Sequence, residues 1–384
     1  MKILLASSSS GSRGGGEIYL LYLGRALVQF GHEVTLWASS HPRMDELAES
    51  FAGFARVVRC DYTNTYDRGL RSVASYLDHA SARRIAHSWQ ATGVDLVHIN
   101  KQNLEDGLDL LAAARISKLP TLCTIHLTQS ARYLRAVAAA VRDAVSRRSL
   151  MAYPGVLVTV LAQRQRDLAD FLGDDPRLRM IPNGVPLFDL TQRDRLRHEK
   201  RSELGIAANE KLVVAVGRLV PQKRPLEFLE QARLVAPVRP ETRFVWVGDG
   251  MLADEWDARV RELGLGSVVR RLPWQREVAP LLFAADVLLH VAEFEGLPLA
   301  ILEAMSAALP CAIAEHLLAE MPFFAPGDVL SVTADGSWAQ ALSDDARLAA
   351  SGARLRGMAE ARFSFATMAS SYEALYRESI GGAG

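Results

Sequence analysis

Apolar residues along this chain gather in short runs, and between the runs they recur at helical spacing. KILLAS (2–7) is the first run and a Ser/Gly loop closes it. EIYLLYLGRALVQFG then places apolar side chains three and four apart, as one face of a helix requires, and HEVTLWAS is the next run. Strand, glycine loop, helix, strand is the opening unit of a parallel α/β sheet. VDLVHIN (94–100), PTLCTIH (120–126) and GVLVTVLA (155–162) continue it as further buried strands.

The rhythm then restarts. KLVVAVGR (211–218) predicts a strand, PLEFLEQARLVA a helix and TRFVWVGDG (242–250) a strand; SVVRRLP, ADVLLHVA and LPCAIA follow with helical segments between them. The pattern predicts two successive doubly wound units. Pro182, Asn183, Gly184 and Pro186 interrupt regular structure in MIPNGVP, so the join is placed there, giving domains 1–185 and 186–361. The polar stretch LTQRDRLRHEKRSELG leads into the second half. An amphipathic helix over 362–380, within FSFATMASSYEALYRESI, is expected to pack back on the first domain.

Composition narrows the function. Hydrophobic residues make up 49% of the 384 and charged residues 23%, an ordinary globular balance whose length suits two domains. Forty-four basic and forty-four acidic side chains cancel, which gives no basic surface for nucleic acid. Cys60, Cys123 and Cys311 are scattered with no CxxC, so neither zinc nor a disulfide framework is indicated and a cytoplasmic location is expected. MKILLASSSS has too short an apolar stretch for a signal peptide, and no run approaches a membrane span.

Three segments carry candidate chemistry. SGSRGGGE (10–17) sets Gly14, Gly15 and Gly16 between a strand and a helix, where backbone amides can approach a phosphate; a plain turn is the alternative. A P-loop would need Lys where Glu17 stands. A dinucleotide fold would need an acid where the second strand ends in Trp37, Ala38, Ser39 and Ser40, so NAD binding is disfavoured. VGRLVPQKR (216–224) puts Arg218 at a strand end and Lys223 beyond a Pro turn. Two cations there suit a diphosphate, or else a solvated basic loop. EFEGLPLAILEAMSAALP (293–310) follows a strand with a loop bearing Glu295, then Pro298 as the first residue of a helix in which Glu303 occupies the second turn. A buried acid needs a partner, and two carboxylates accepting from separate hydroxyls of one ligand point to a sugar or ribose.

EGLPLAILE resembles the E-x7-E motif of retaining glycosyltransferases of family 4, with the two-domain GT-B fold. VGRLVPQKR is similar to that family's strand–Arg–x4–Lys segment, IPNGV (181–185) to its interdomain PNGV, and YEALYRE to its closing helix. The resemblance implies an α/β protein of two Rossmann-like domains facing a central cleft, donor on the C-terminal domain and acceptor on the N-terminal one. It implies transfer of a hexose from a UDP- or GDP-sugar to an acceptor hydroxyl, metal-independent and with no cofactor beyond that co-substrate. Sugar, lipid-linked and small-molecule acceptors fit, in cell-envelope polysaccharide, glycolipid or natural-product glycoside synthesis. Arg218 and Lys223 would neutralise the diphosphate, Glu303 bind the ribose and Glu295 the transferred sugar. Gly248, Gly296, Leu297, Pro298 and Leu299 would line the donor, the 14–16 glycines would close over the phosphates, and His126 would bond donor sugar or phosphate near the reaction centre. His98 is the poorer histidine candidate.

The sequence departs from the family pattern at Val291 and Ala292, where Pro-Ser is common, at Ala308, where Gly is frequent, and at Pro186, where Asp is usual. ARYLRAVAAAVRDAVSRRSL (131–150) predicts a helix with Arg132, Arg135, Arg142, Arg147 and Arg148. It could touch a membrane peripherally, at the inner face of the plasma membrane, or simply be solvated. A related epimerase or hydrolase, and a non-catalytic nucleotide-sugar-binding protein, remain the rival readings.

Overall fold

Two parallel sheets account for the two turns of the hydrophobic rhythm. The structure, a computed structural model, describes residues 1–9 and 11–381; Ser10, first residue of the glycine loop, lies outside the described residues. Met1–Gly184 with the tail from Phe365 forms one unit and Val185–Ser364 the other.

The first unit holds β1 (Lys2–Ser7), β2 (Glu33–Ser39), β3 (Arg56–Cys60), β4 (Leu96–Lys101), β5 (Thr121–Ile125), β6 (Val156–Thr159) and β7 (Leu178–Met180), in the order β3-β2-β1-β4-β5-β6-β7. The second holds β8 (Lys211–Val216), β9 (Thr242–Val247), β10 (Val269–Leu272), β11 (Val287–His290), β12 (Cys311–Ala314) and β13 (Leu330–Val332), in the order β10-β9-β8-β11-β12-β13. All neighbours run parallel. Both units are therefore Rossmann-like, as expected. Each order reverses beside its first strand, between β1 and β4 and between β8 and β11. At such a reversal the crossover helices leave to opposite faces, and the carboxyl ends of the two strands stay uncovered.

Helices on both faces explain why the strands read as unbroken apolar runs. Ile3, Leu4, Leu5 and Ala6 are all fully buried, as are Leu212, Val213 and Val214. Trp37 and Trp89 anchor the first core; Phe228, Trp246 and Trp256 anchor the second, Phe228 lying stacked on Trp256 at 5.8 Å. Three edge or near-edge strands, β3, β7 and β13, carry no such run and are not anticipated by the pattern. The apolar run at 155–162 is strand only to Thr159, and its end enters the helix Ala162–Leu172.

Two helix expectations need correction. The first helix spans Gly15–Gln29, so Gly15 and Gly16 are its first two residues and only Gly14 caps it. The segment 131–138 is not helical; the helix runs Ala139–Ala152. Asp143 accepts from the backbone amides of Ala131 (2.7 Å) and Arg132 (3.1 Å), folding the preceding turns back on the helix. Arg135 and Ala138 take left-handed φ values of 52° and 56°, which interrupts the helical run. Arg142 turns inward to Glu105 through two 2.6 Å contacts, and Arg147 donates to the Phe171 and Leu172 carbonyls. The continuous basic face expected over 131–150 therefore does not form.

The closing helix, Phe365–Gly381, belongs to the first unit and is fixed there by a buried polar chain. Tyr19 Oη donates to Tyr372 Oη at 2.6 Å, and Thr124 Oγ1 lies 2.9 Å from the same oxygen. His98 bonds Thr124 through Nε2 (2.8 Å) and Tyr376 through Nδ1 (2.7 Å), so it is structural. Burial holds His98 down to about 3 and His126 down to about 4, so both rings are neutral in the fold. An unfolded histidine titrates near 6.5, so their contribution to stability is complete above that value and is lost as pH falls from there towards 4. The unfolding free energy of the first unit, read from urea titrations, is expected to drop over that window, by up to about 1.4 kcal/mol per pH unit for each histidine. Tyr372→Phe strands two buried partners and should lower the stability of the same unit by about 1–3 kcal/mol in urea unfolding at pH 7.

Candidate functional site

At the reversal point of the second sheet, β8 and β11 end side by side, and the loops that leave them carry most of the residues singled out above. The loop after β8 is fixed from beneath. Trp246 Nε1 donates to the Gly217 carbonyl at 2.9 Å, Gly217 N–H to Val247 O at 3.0 Å and Leu219 N–H to Asp249 O at 2.9 Å. This contact needs glycine: Gly248 has φ +132°, and a Cβ on it would sit 2.3 Å from Gly217 O. Gly248, expected among the donor-binding residues, thus stands here as a backbone spacer under Arg218. Arg218 itself is exposed, and among the described residues its side chain has no ion-pair or hydrogen-bond partner.

Lys223 ends the short turn Pro221–Lys223. Glu293 N–H donates to Gln222 O (2.8 Å) and Gln222 Nε2 to Phe294 O (3.1 Å), so the loops after β8 and β11 are zipped together. That contact brings Lys223 Nζ onto Glu295 Oε1 in an ion pair. His290, the last residue of β11, places Nε2 3.2 Å from the same carboxylate oxygen without completing a hydrogen bond to it. Glu295 is 6% exposed. Burial pushes its carboxyl up, but the Lys223 ammonium more than reverses that and holds it down to about 2.

Gly296, Leu297, Pro298 and Leu299 are all buried as the chain turns into the next helix. That helix is Leu299–Ser306, with Pro298 as its extended N-cap (φ −71°, ψ 120°) and not, as expected, its first helical residue. Glu303 lies one turn in and is 5% exposed. The departure at Ala308 has a visible cost: its φ is +53°, a left-handed position that favours glycine. Ala292, at the other departure, uses its carbonyl to accept from His316 Nε2 at 2.8 Å.

In the first unit, His126 follows β5 and is tied to the glycine turn. Asn100 Nδ2 donates to Gly16 O (3.1 Å), which turns Asn100 Oδ1 towards His126 Nε2 (2.8 Å). The proton is therefore on Nε2, and Nδ1 is left as an acceptor. Tyr19 meets the ring edge-on at 4.6 Å. A Cβ on Gly16 would displace the Gln102 side-chain amide, which lies 2.2 Å from where it would sit, whereas Gly15 faces open space. Asn100 opens the NKQN run (100–103), in which the sequence points to acceptor specificity but gives no role to any one residue. Sequence reasoning missed Gln222 and His290: Gln222 had no motif to mark it, while His290 had the weak signal of a polar residue ending a buried strand.

The sequence between residues 13 and 187 matches the profile of Glycosyltransferase Family 4, and residues 197–320 match that of Glycosyl transferases group 1. The chain belongs to this glycosyltransferase family. It is 36% identical over 143 residues to the UDP-Gal:alpha-D-GlcNAc-diphosphoundecaprenol alpha-1,3-galactosyltransferase of Escherichia coli, a match covering 36% of this chain and 37% of that protein. It is 30% identical over 228 residues to the D-inositol 3-phosphate glycosyltransferase of Mycobacterium bovis, covering 56% and 47%. The chain thus spans less than half the length of these two relatives. HepE of Anabaena, solved in complex with UDP-glucose, superposes over 100% of both chains with a TM-score of 0.78 at 19% identity. That likeness establishes the fold, which is GT-B.

The spacer role of Gly248 is checked by Gly248→Ala, expected to cost about 2–4 kcal/mol in urea unfolding. Gly264→Ala, at φ +65° with open space around it, should cost only about 1 kcal/mol.

Proposed function

We propose that this family member transfers a hexose from a UDP- or GDP-sugar to an acceptor hydroxyl, with retention at the anomeric carbon. The observation that carries the reading is the pairing of the half-buried Lys223 with the buried Glu295 at the uncovered reversal of the second sheet, beside an exposed and uncommitted Arg218. Arg218 and Lys223 are the cations for the diphosphate, stabilising the charge that develops as the nucleotide leaves. That leaves no step that calls for a metal or a further cofactor. Glu295 accepts from hydroxyls of the transferred sugar and Glu303 from the ribose. The amides that open the helix Leu299–Ser306 aim their partial positive charge at the same loop. His126, neutral and with Nδ1 accepting, is suited to receive a sugar hydroxyl and not to neutralise a phosphate.

A pathway building cell-envelope polysaccharide or glycolipid is supported by the E. coli relative, whose name specifies a lipid-diphosphate acceptor. A lipid-linked acceptor would bring the enzyme to a bilayer. No helix among the described residues is long and apolar enough to cross a membrane. A peripheral contact would fall on the turn before the helix Ala139–Ala152, where Tyr133 and Val137 are 60% and 89% exposed and Arg132 and Arg135 stand beside them.

Titration calorimetry against UDP- and GDP-sugars tests the donor site. Arg218→Ala and Glu303→Ala should each weaken nucleotide-sugar binding by roughly 1.5–3 kcal/mol, about ten- to a hundredfold. Undiminished affinity in both variants would remove the assignment. Proton NMR of the first-formed glycoside reads retention directly, and donor turnover without an extended acceptor would favour a hydrolase. Flotation of the protein with phosphatidylglycerol vesicles, lost on Val137→Asp, is the outcome expected of the membrane contact; failure of the unsubstituted protein to float removes it.

A further inference from the structure

His290 is not used by the reading above, yet its Nε2 is buried, lacks a hydrogen-bond partner and lies 3.2 Å from the Glu295 carboxylate that holds Lys223. As the side chains stand, one lysine balances Glu295. The proposed donor brings a diphosphate that competes for the same Lys223 Nζ. A carboxylate as enclosed as Glu295 cannot be left with its cation withdrawn and further negative charge added nearby. Some other group must take it over.

The groups around His290 limit the choice. Arg218 and Lys223 follow β8 and face the proposed diphosphate. Asp249 follows β9 and pairs with Arg271 at 3.8 Å. From β12 come Cys311, whose thiol burial keeps protonated, and then Glu315 and His316; the His316 Nε2 is spent on Ala292 O. On the outer side of the loop, Arg224 lies 3.4 Å from Glu293 and 3.5 Å from Glu227. Glu303 in the following helix is itself an acid. Among the described residues around Glu295, His290 is the one basic side chain that is both in reach of the carboxylate and not spent on another partner.

We propose that His290 takes over Glu295 when Lys223 turns to the donor diphosphate, so that binding of the nucleotide sugar draws a proton from solvent onto the His290 ring. The step is a protonation only: water or buffer gives the proton, Nε2–H then donates to Glu295 Oε1, and no other bond is made or broken. His290 is a positioning residue in this account. It keeps the carboxylate charged and aimed at the sugar while Lys223 is occupied by phosphate. The inference rests on the donor site assigned above.

Calorimetry with UDP-galactose, UDP-glucose and a GDP-hexose, at pH 7.5 in buffers of different ionisation enthalpy, tests it. These diphosphate diesters have no group of their own titrating near neutrality, so a buffer-dependent heat reports the protein. Uptake of a sizeable fraction of one proton per nucleotide sugar is expected, with affinity falling between pH 6.5 and 8.5 by at most about tenfold per unit. In His290→Gln the uptake and the pH dependence should vanish while binding persists. Glu295→Gln, which keeps the side-chain shape, should abolish the uptake as well and guards against a folding defect at position 290. Buffer-independent heats for the unsubstituted protein, or unchanged uptake in His290→Gln, would overturn the inference and leave the donor site standing. Absence of binding by all three sugars would overturn the donor site, and the inference with it.

Discussion

A carboxylate buried where a parallel sheet reverses its strand order has to be neutralised, and in this protein the neutralising group is a lysine 72 residues earlier in the chain. That requirement organises the second unit's site. The Lys223–Glu295 pair can form only if the loops after β8 and β11 are held side by side, and the Gln222 contacts to Glu293 and Phe294 do so. Those contacts in turn depend on β8 and β11 being neighbours, which the strand order guarantees. A pair whose acid is buried in this way is poor grounds for stability, because desolvation offsets its attraction. Its presence is better understood as the resting arrangement of two groups that have other work.

Beneath the pair, the structure is built for close approach of backbones. Gly248 and Gly250 would each place a Cβ within 2.4 Å of a carbonyl oxygen in the loop after β8 if they were any other residue. Trp246 ties the Gly217 carbonyl and at the same time belongs to the aromatic cluster of Phe228 and Trp256. The position of the Arg218 backbone is therefore set by the core itself. An exposed, unpaired guanidinium on a fixed backbone suits a ligand that arrives with its own charge.

Much of this is legible in the order of the amino acids alone. Strands buried on both faces show as continuous apolar runs, so the central strands of both sheets can be read and the fold class with them. The edges cannot: β3 reads RVVRC, with its residues half-buried or exposed, and β7 has only three residues. The stretch 131–138 misleads for a different reason. Ala, Leu and Arg favour helix, but Asp143 captures two backbone amides and two residues go left-handed, so tertiary contacts override propensity. At the site, the four charged residues stand out by their placement relative to strands, whereas their pairing does not. Nothing local in VPQKR says that its lysine faces Glu295 and not solvent. His290 is hidden in an apolar run, as its chemistry comes entirely from what lies opposite it.

Three buried histidines show how far the partner decides the role. His98 has both nitrogens on neutral hydroxyls, so a proton would gain no counter-charge and would cost solvation; it is a strut for the closing helix. His126 faces an amide oxygen, which fixes its tautomer and leaves it an acceptor, again with nothing to reward a positive charge. His290 faces a carboxylate that already has a cation. While Lys223 is there, protonating His290 would crowd two positive charges around one acid. In the proposed exchange, engaging the lysine elsewhere leaves that acid without its cation, and the proton on His290 would replace it. The three rings are alike in burial, so the difference lies in whether a neighbouring charge can be released, and only at the second sheet's reversal is there a group that can release it.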